Sequence, residues 1–466
     1  MAADFETSNR RWLDKLPRNL TDSARSLHPR TLVAAIVVGL ITGVLGAGFK
    51  SAVNNMLQWR SQLAQILAPI PPLAWLVTAL ISGGMVALSF WLMKRFAPDT
   101  SGSGIPQIEG HLEGKLPLVW QRVLPIKLVG GFLSLGAGML AGFEGPTIQM
   151  GGSIGQMTGG WFKATQENQR ILIAVGAGAG LATAFNAPLA GVALIGEEMH
   201  PRFRSQTLAY HSLLFGCVMA TIILRMIRGQ SAIISLTEFK RVPLDSLWMF
   251  IILGILFGVM GYTFNRGLFK VLDWFDRLPP LATKWKGFLL GSIIGILSLF
   301  PLPLTDGGDN AVLWAFNSQS HFSTLILVFC GRFLLTLICY GSGAIGGIFA
   351  PMLGIASIVS VAMARHFHLL FPSQIPEPAV MAIAGMGALV AATVRAPLTA
   401  ILLTIEMTDN YFVILPLLVT CLVASVVAEA LGGKPIYTVL LERTLAKQNR
   451  GSLVPRGSGG HHHHHH

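Results

Sequence analysis

Three short segments set glycine and proline immediately ahead of apolar runs: Gly102-Ser103-Gly104-Ile105-Pro106, Gly142-Phe143-Glu144-Gly145-Pro146 and Gly346-Gly347-Ile348-Phe349-Ala350-Pro351. Proline suits the first turn of a helix, where its missing N–H would have had no partner. Glycine lets the backbone come close to a ligand. A helix start presents free N–H groups and about half a positive charge. Several starts that converge would make an anion site without a full cation, able to bind and still release. Ser103 could donate its hydroxyl to such an ion, or only cap the helix that follows. Glu144 is the sharpest signal, because a carboxylate in a break between apolar segments is costly and marks function. It would compete with an anion for the same pocket, and protonation would release it. One side chain could then be both gate and proton carrier; the alternative is a structural carboxylate on a helix N-terminus.

Groups of this kind need a scaffold at membrane depth, and composition supplies one. Hydrophobic residues make up 52% of the chain and charged residues 12%, against about 25% charged in a soluble domain. Lipid must cover what charges cannot. Apolar runs long enough to cross a bilayer are expected at 32–52, 72–94, 245–265, 287–302, 322–340 and 411–431. Shorter runs crowded with Gly or Pro lie at 125–142, 145–161, 171–186, 188–199, 346–364, 379–393 and 396–407, as expected where backbone leaves the helix to line a cavity. Gly39-x-x-x-Gly43 is a small-residue contact for a neighbouring helix. The fold class is an all-α polytopic membrane protein.

The chain also repeats itself. Ala187-Pro188-Leu189 recurs as Ala396-Pro397-Leu398, an offset of 209 that also matches Gly176, Gly178 and Glu197 to Gly385, Gly387 and Glu406. At an offset of 205, Lys127, Gly136, Gly138 and Pro146 match Arg332, Gly341, Gly343 and Pro351. Duplication on this scale is a transporter signature, with substrate held between the repeats. The residues alone leave open whether the repeats are parallel or inverted.

Together with Asn186-Ala187-Pro188-Leu189-Ala190-Gly191 and Gly432-Gly433-Lys434-Pro435-Ile436-Tyr437, these motifs resemble, in order and separation, the CLC family of chloride channels and chloride/proton exchangers. The resemblance covers roughly residues 31–447. It implies an inverted repeat of tilted and broken helices (about 31–205 and 245–447), a homodimer with one pathway per subunit, and secondary-active exchange of chloride for protons. A passive chloride channel of the same fold is the alternative. It further implies chloride ligands in Ser103, Tyr437 and the backbone N–H groups of Ile348 and Phe349, and an external gate in Glu144. Ser103 points to chloride and bromide over fluoride. Where many relatives carry Arg before the gate, this chain has Phe143. Glu198 resembles the inner proton-transfer glutamate of exchangers; otherwise it is a surface carboxylate paired with Arg202 or Arg204. Glu197 and its mate Glu406 read as structural partners, with Glu197 and Glu113 as secondary proton-path candidates. Glu109 and Glu113 could tune the inner water path.

Other classes fall away. The formal charge of +12 suggests nucleic acid, but Lys and Arg collect beside the spans, as the positive-inside bias requires. A basic arm over residues 1–30 is expected in the cytoplasm, with both termini there and the protein in a bacterial inner membrane. Cys217, Cys330, Cys339 and Cys421 sit singly in apolar segments and read as small core residues, not metal ligands. Gly341-Ser342-Gly343-Ala344-Ile345-Gly346 fits a dinucleotide pattern but lacks the preceding strand and the later acid. No ATP-binding loop and no Ser/His/Asp set is present, so neither an enzyme nor a cofactor is expected. Residues 448–466 form a tail; within it 453–458 read as a protease-cleavage sequence and His461–His466 as an affinity tag, with no regulatory domain.

Overall fold

The computed structural model describes residues 28–453, apart from 235, 237, 238, 375 and 376. All but the last residues of the basic arm, the cleavage sequence after Leu453, and the tag lie outside the described residues. The first half runs α1 Pro29–Leu67, α2 Pro71–Phe96, α3 Ile105–Leu112, α4 Trp120–Gly136, α5 Glu144–Trp161, α6 Gln166–Phe185, α7 Pro188–Ala193 and α8 Gln206–Arg228. The second runs α9 Leu247–Asp276, α10 Pro280–Leu297, α11 Asp309–Asn317, α12 Phe322–Gly341, α13 Phe349–Leu370, α14 Pro378–Val394, α15 Pro397–Thr408, α16 Ile414–Ala430 and α17 Ile436–Leu453. No strand occurs among the described residues; helix α12 precedes the dinucleotide-like glycines, which disposes of that reading. Among the described residues seven helices are long and apolar enough to cross a membrane: α1, α2, α8, α9, α12, α13 and α16, two of them extended by a short turn.

Helix α8 was not among the expected spans. Its apolar run is bounded by Gln206 and His211 at the start and Arg225 and Arg228 at the end, and it packs on the very glycines singled out in α1. A Cβ on Gly39 would strike the carbonyl of Gly216, and one on Gly43 would meet the Ala220 carbonyl. Short α11 was not expected either. Cys217, Cys339 and Cys421 are buried as expected, but Cys330 is exposed on α12.

The halves obey a local two-fold. Gly142 and Gly347, mates at the 205 offset, exchange hydrogen bonds: each N–H donates to the other's carbonyl, at 2.8 and 2.9 Å. Mates can pair with each other only on the symmetry axis. Glu197, just past α7, accepts from Leu398 N (2.9 Å) and Thr399 N (2.7 Å) at the start of α15. Its mate Glu406, near the end of α15, accepts from Leu189 N (3.1 Å) and Ala190 N (2.8 Å) at the start of α7. Each segment's end caps the other's start, so the two run antiparallel, as an inverted repeat requires. Even unusual backbone is copied: Asn186 and Arg395, and His200 and Asp409, all have positive φ.

Helices α6 and α14 fill the centre, with every residue of 171–185 and 380–394 buried. Glycine lets α5 reach α6: a Cβ on Gly151 would meet the Gly176 carbonyl, one on Gly155 the Leu172 carbonyl, and one on Gly180 the Thr147 carbonyl. These contacts bring backbone against backbone and hold the start of α5 at depth. Large apolar side chains instead cover the outside, among them Trp75, Leu80, Trp91, Ile255, Leu289 and Leu327. Such a surface suits lipid and not water.

Candidate anion site

Backbone hydrogen bonds draw the three glycine motifs together. Gly346 N donates to Gly102 O at 3.0 Å, beside the Gly142–Gly347 pair. The starts of α3, α5 and α13 therefore meet in the interior, with Ser103, Glu144, Ile348 and Phe349 all buried. Tyr437, in the first turn of α17, arrives from the far end of the chain, fully buried, its ring 6.2 Å from that of Phe349. Its hydroxyl has no hydrogen-bond partner. All five residues of the expected pocket are thus brought to one place.

The Glu144 carboxylate sits among these helix starts. Glu144 Oε1 accepts the Phe349 N–H at 2.7 Å, while Oε2 is buried and unpartnered. A Cβ on either Gly142 or Gly347 would overlap this carboxylate, so those two glycines open the space it fills. The side chain stands at the start of α5 and borrows the start of α13.

A buried cation secures each copy of the loop ahead of these helices. Lys127 Nζ donates to Thr100 O (2.7 Å) and Gly102 O (2.8 Å). Its mate Arg332 donates to Pro303 O and Thr305 O, both at 2.9 Å, and to Asp306 O at 3.0 Å. Thr100 and Thr305 are themselves mates at the 205 offset. The symmetry breaks three residues after these threonines: the first copy carries Ser103, the second Gly308.

The other carboxylates separate by surroundings. Glu198 is buried in a π-helical turn, Leu194–Met199, that continues α7. It forms no ion pair with Arg202 or Arg204, and its charge neighbours are Glu109 and Glu197. Glu109, on α3, is buried with Oε2 unpartnered. Glu197 is committed to the cap of α15. Glu113 pairs with Lys115 at 3.0 Å and is partly exposed. Of the two residues expected along the inner water path, Glu109 stands beside Glu198, whereas Glu113, also a secondary proton-path candidate, is paired with Lys115.

Two contributors were not visible in the sequence. Tyr340 lies in the last turn of α12 and its hydroxyl reaches Ser103 Oγ at 3.2 Å; an aromatic before Gly341-Ser342-Gly343 looked like one more apolar residue. Lys50, buried on α1, donates to Ala184 O at 2.7 Å and stands 5.6 Å from the ring centre of Phe143. A cation therefore does flank the Glu144 motif, supplied from a distant helix instead of by residue 143. Among the described residues no cluster of His, Cys, Asp and Glu could hold a metal.

The family model for the voltage gated chloride channel matches residues 83–429. The chain belongs to the voltage-gated chloride channel family. The H(+)/Cl(-) exchange transporter ClcA of Vibrio parahaemolyticus is 45% identical over 422 residues, covering 89% of this chain and 90% of that protein. The H(+)/Cl(-) exchange transporter ClcA of Salmonella paratyphi A is 42% identical over 422 residues, with 90% and 89% covered. Among solved structures, a eukaryotic CLC transporter superposes with a TM-score of 0.72 at 20% identity, over 88% of this chain and 73% of that one. A CLC-type fluoride/proton antiporter gives 0.72 at 18% identity, over 87% and 96%. These two establish the fold of the voltage-gated chloride channel family for this chain, an all-α inverted repeat.

Proposed function

We propose that the chain is a secondary-active chloride/proton antiporter. The observation that carries this reading is Glu144 holding the Phe349 N–H inside a pocket made of helix starts. An ionised Glu144 fills the pocket and excludes the anion. A protonated Glu144 loses the charge that favours the helix start, leaves, and frees the N–H groups of Ile348 and Phe349 for chloride. The hydroxyls of Ser103 and Tyr437 supply the remaining donors. Neutral donors and helix dipoles hold chloride without a buried cation at contact, so release stays possible. Neither hydroxyl ionises readily near neutral pH, so the proton needs another route inward. Glu198, buried with Glu109 beside it, is placed to receive it, with water between the carboxylates. The relatives that are H(+)/Cl(-) exchange transporters support the same reading. No cofactor is required; chloride and protons are the cargo.

The protein is a multi-pass membrane protein. We place it in a bacterial inner membrane, with residues 31–447 as the transporting unit and both termini in the cytoplasm. We place it as a homodimer with one pathway per subunit, a partnership that cross-linking in mild detergent would test by trapping dimers. The function itself is tested in sealed liposomes: an imposed chloride gradient should drive protons uphill, and a purely passive chloride conductance would displace the reading.

A further inference from the structure

We infer that Tyr340 is a positioning residue for chloride, holding the Ser103 hydroxyl so that its single proton faces the ion. The inference rests on the reading of Ser103 as a chloride ligand. A serine hydroxyl has one proton to give and two lone pairs with which to accept. Both acceptor positions on Ser103 are engaged: the backbone N–H of Ile105 points to Oγ at 3.3 Å, and the Tyr340 hydroxyl donates to Oγ at 3.2 Å. With Tyr340 as the donor, Ser103 donates to neither partner, because Ile105 offers only an N–H and the phenol supplies the proton of the shared bond. The one capacity left to Ser103 is to donate, and it has no protein acceptor.

The arrangement is rigid. Tyr340 is buried at the last turn of α12, and the Ser342 and Gly343 amides continue the turn from Ile338 and Tyr340. Gly102, immediately before Ser103, has φ of +68° and faces the phenol closely, its virtual Cβ lying 3.6 Å from the Tyr340 oxygen. The loop is pinned from behind by Lys127 on Thr100 O and Gly102 O. Tyr437 differs: its hydroxyl is buried without a partner, so it can turn to the ion unaided. The two tyrosines thus divide the work, one donating to the anion and one polarising the serine that does. Hydrogen bonds in series reinforce each other in a low-dielectric interior, so donation from Tyr340 also strengthens the Ser103 hydroxyl as a donor.

The test is calorimetric titration of chloride into purified protein in detergent, comparing wild type, Tyr340→Phe, Ser103→Ala, and the double variant. Tyr340→Phe removes only the phenol oxygen and should weaken chloride about fivefold, the scale of one net hydrogen bond. In the Ser103→Ala background the same change should have no further effect. In a Tyr437→Phe background it should retain its full effect, since that donor is independent. A merely structural role would weaken binding equally in all three backgrounds and would overturn the inference. So would unchanged affinity, or tighter binding, which would mean that Ser103 had been donating to the phenol. If Ser103→Ala itself leaves chloride binding unchanged, the assignment of the site fails, a result distinct from failure of Tyr340 alone.

Discussion

Replacing Glu144 with glutamine keeps the shape of the side chain and removes its charge. In the structure Oε1 accepts the Phe349 N–H at 2.7 Å. A hydrogen bond to a charged group contributes about 1.5–3 kcal/mol, against about 0.5–1.5 for a neutral pair. The variant therefore loses about 1.4 kcal/mol of its hold on the helix start, or roughly tenfold in the equilibrium between occupied and open pocket. If chloride competes for that N–H, Glu144→Gln should bind chloride about tenfold more tightly than the wild type at high pH. Wild-type affinity should rise as pH falls, because protonation withdraws the competitor; the variant should show no such rise. Calorimetric titration at two pH values reads both effects. Equal affinities at high pH, or a pH dependence that survives in Glu144→Gln, would refute the competition.

Glu198→Gln should still carry chloride while proton flux falls to the leak of empty liposomes; full coupling in this variant would move the inner relay to Glu109, Glu197 or Glu113. Glu197→Gln and Glu406→Gln each weaken a cap across the repeat boundary and should each cost about 0.5–2 kcal/mol, lowering the melting temperature in detergent by similar amounts. A loss from only one of them would contradict the symmetric arrangement. Lys127→Met strands two buried carbonyls at about 1–3 kcal/mol, and should loosen the Ser103 loop, so that chloride affinity and thermal stability fall together; unchanged chloride affinity would detach Lys127 from the site.

Much of this architecture was legible because the chemistry of the site is backbone chemistry. Glycine and proline have few uses in an apolar run, so Gly142, Pro146, Gly347 and Pro351 announced the helix starts that the structure brings together. The repeat was readable for the same reason: offsets of 205 and 209 pick out residues that meet at the two-fold, such as Gly142 with Gly347. What stayed hidden depends on reach between distant segments. Lys50 comes to Phe143 from α1, and Tyr340 comes to Ser103 from α12, contacts that no local spacing encodes. Helix α8 is about as apolar as α2, which was expected, so its hydropathy did not hide it. Glu109 ranked no higher than Glu113 because both follow Ser103 within a few residues; only the fold buries one and leaves the other paired with Lys115 at the surface.

The central claim is coupling: one carboxylate that alternates between holding a helix start and carrying a proton must tie chloride movement to proton movement. Purified protein in liposomes with an outward chloride gradient and no initial pH difference measures it directly. Chloride leaving should drive protons inward against their gradient, and collapse of the chloride gradient should end the movement. Chloride efflux with no proton uptake at any pH would contradict the account and leave a passive pathway in its place.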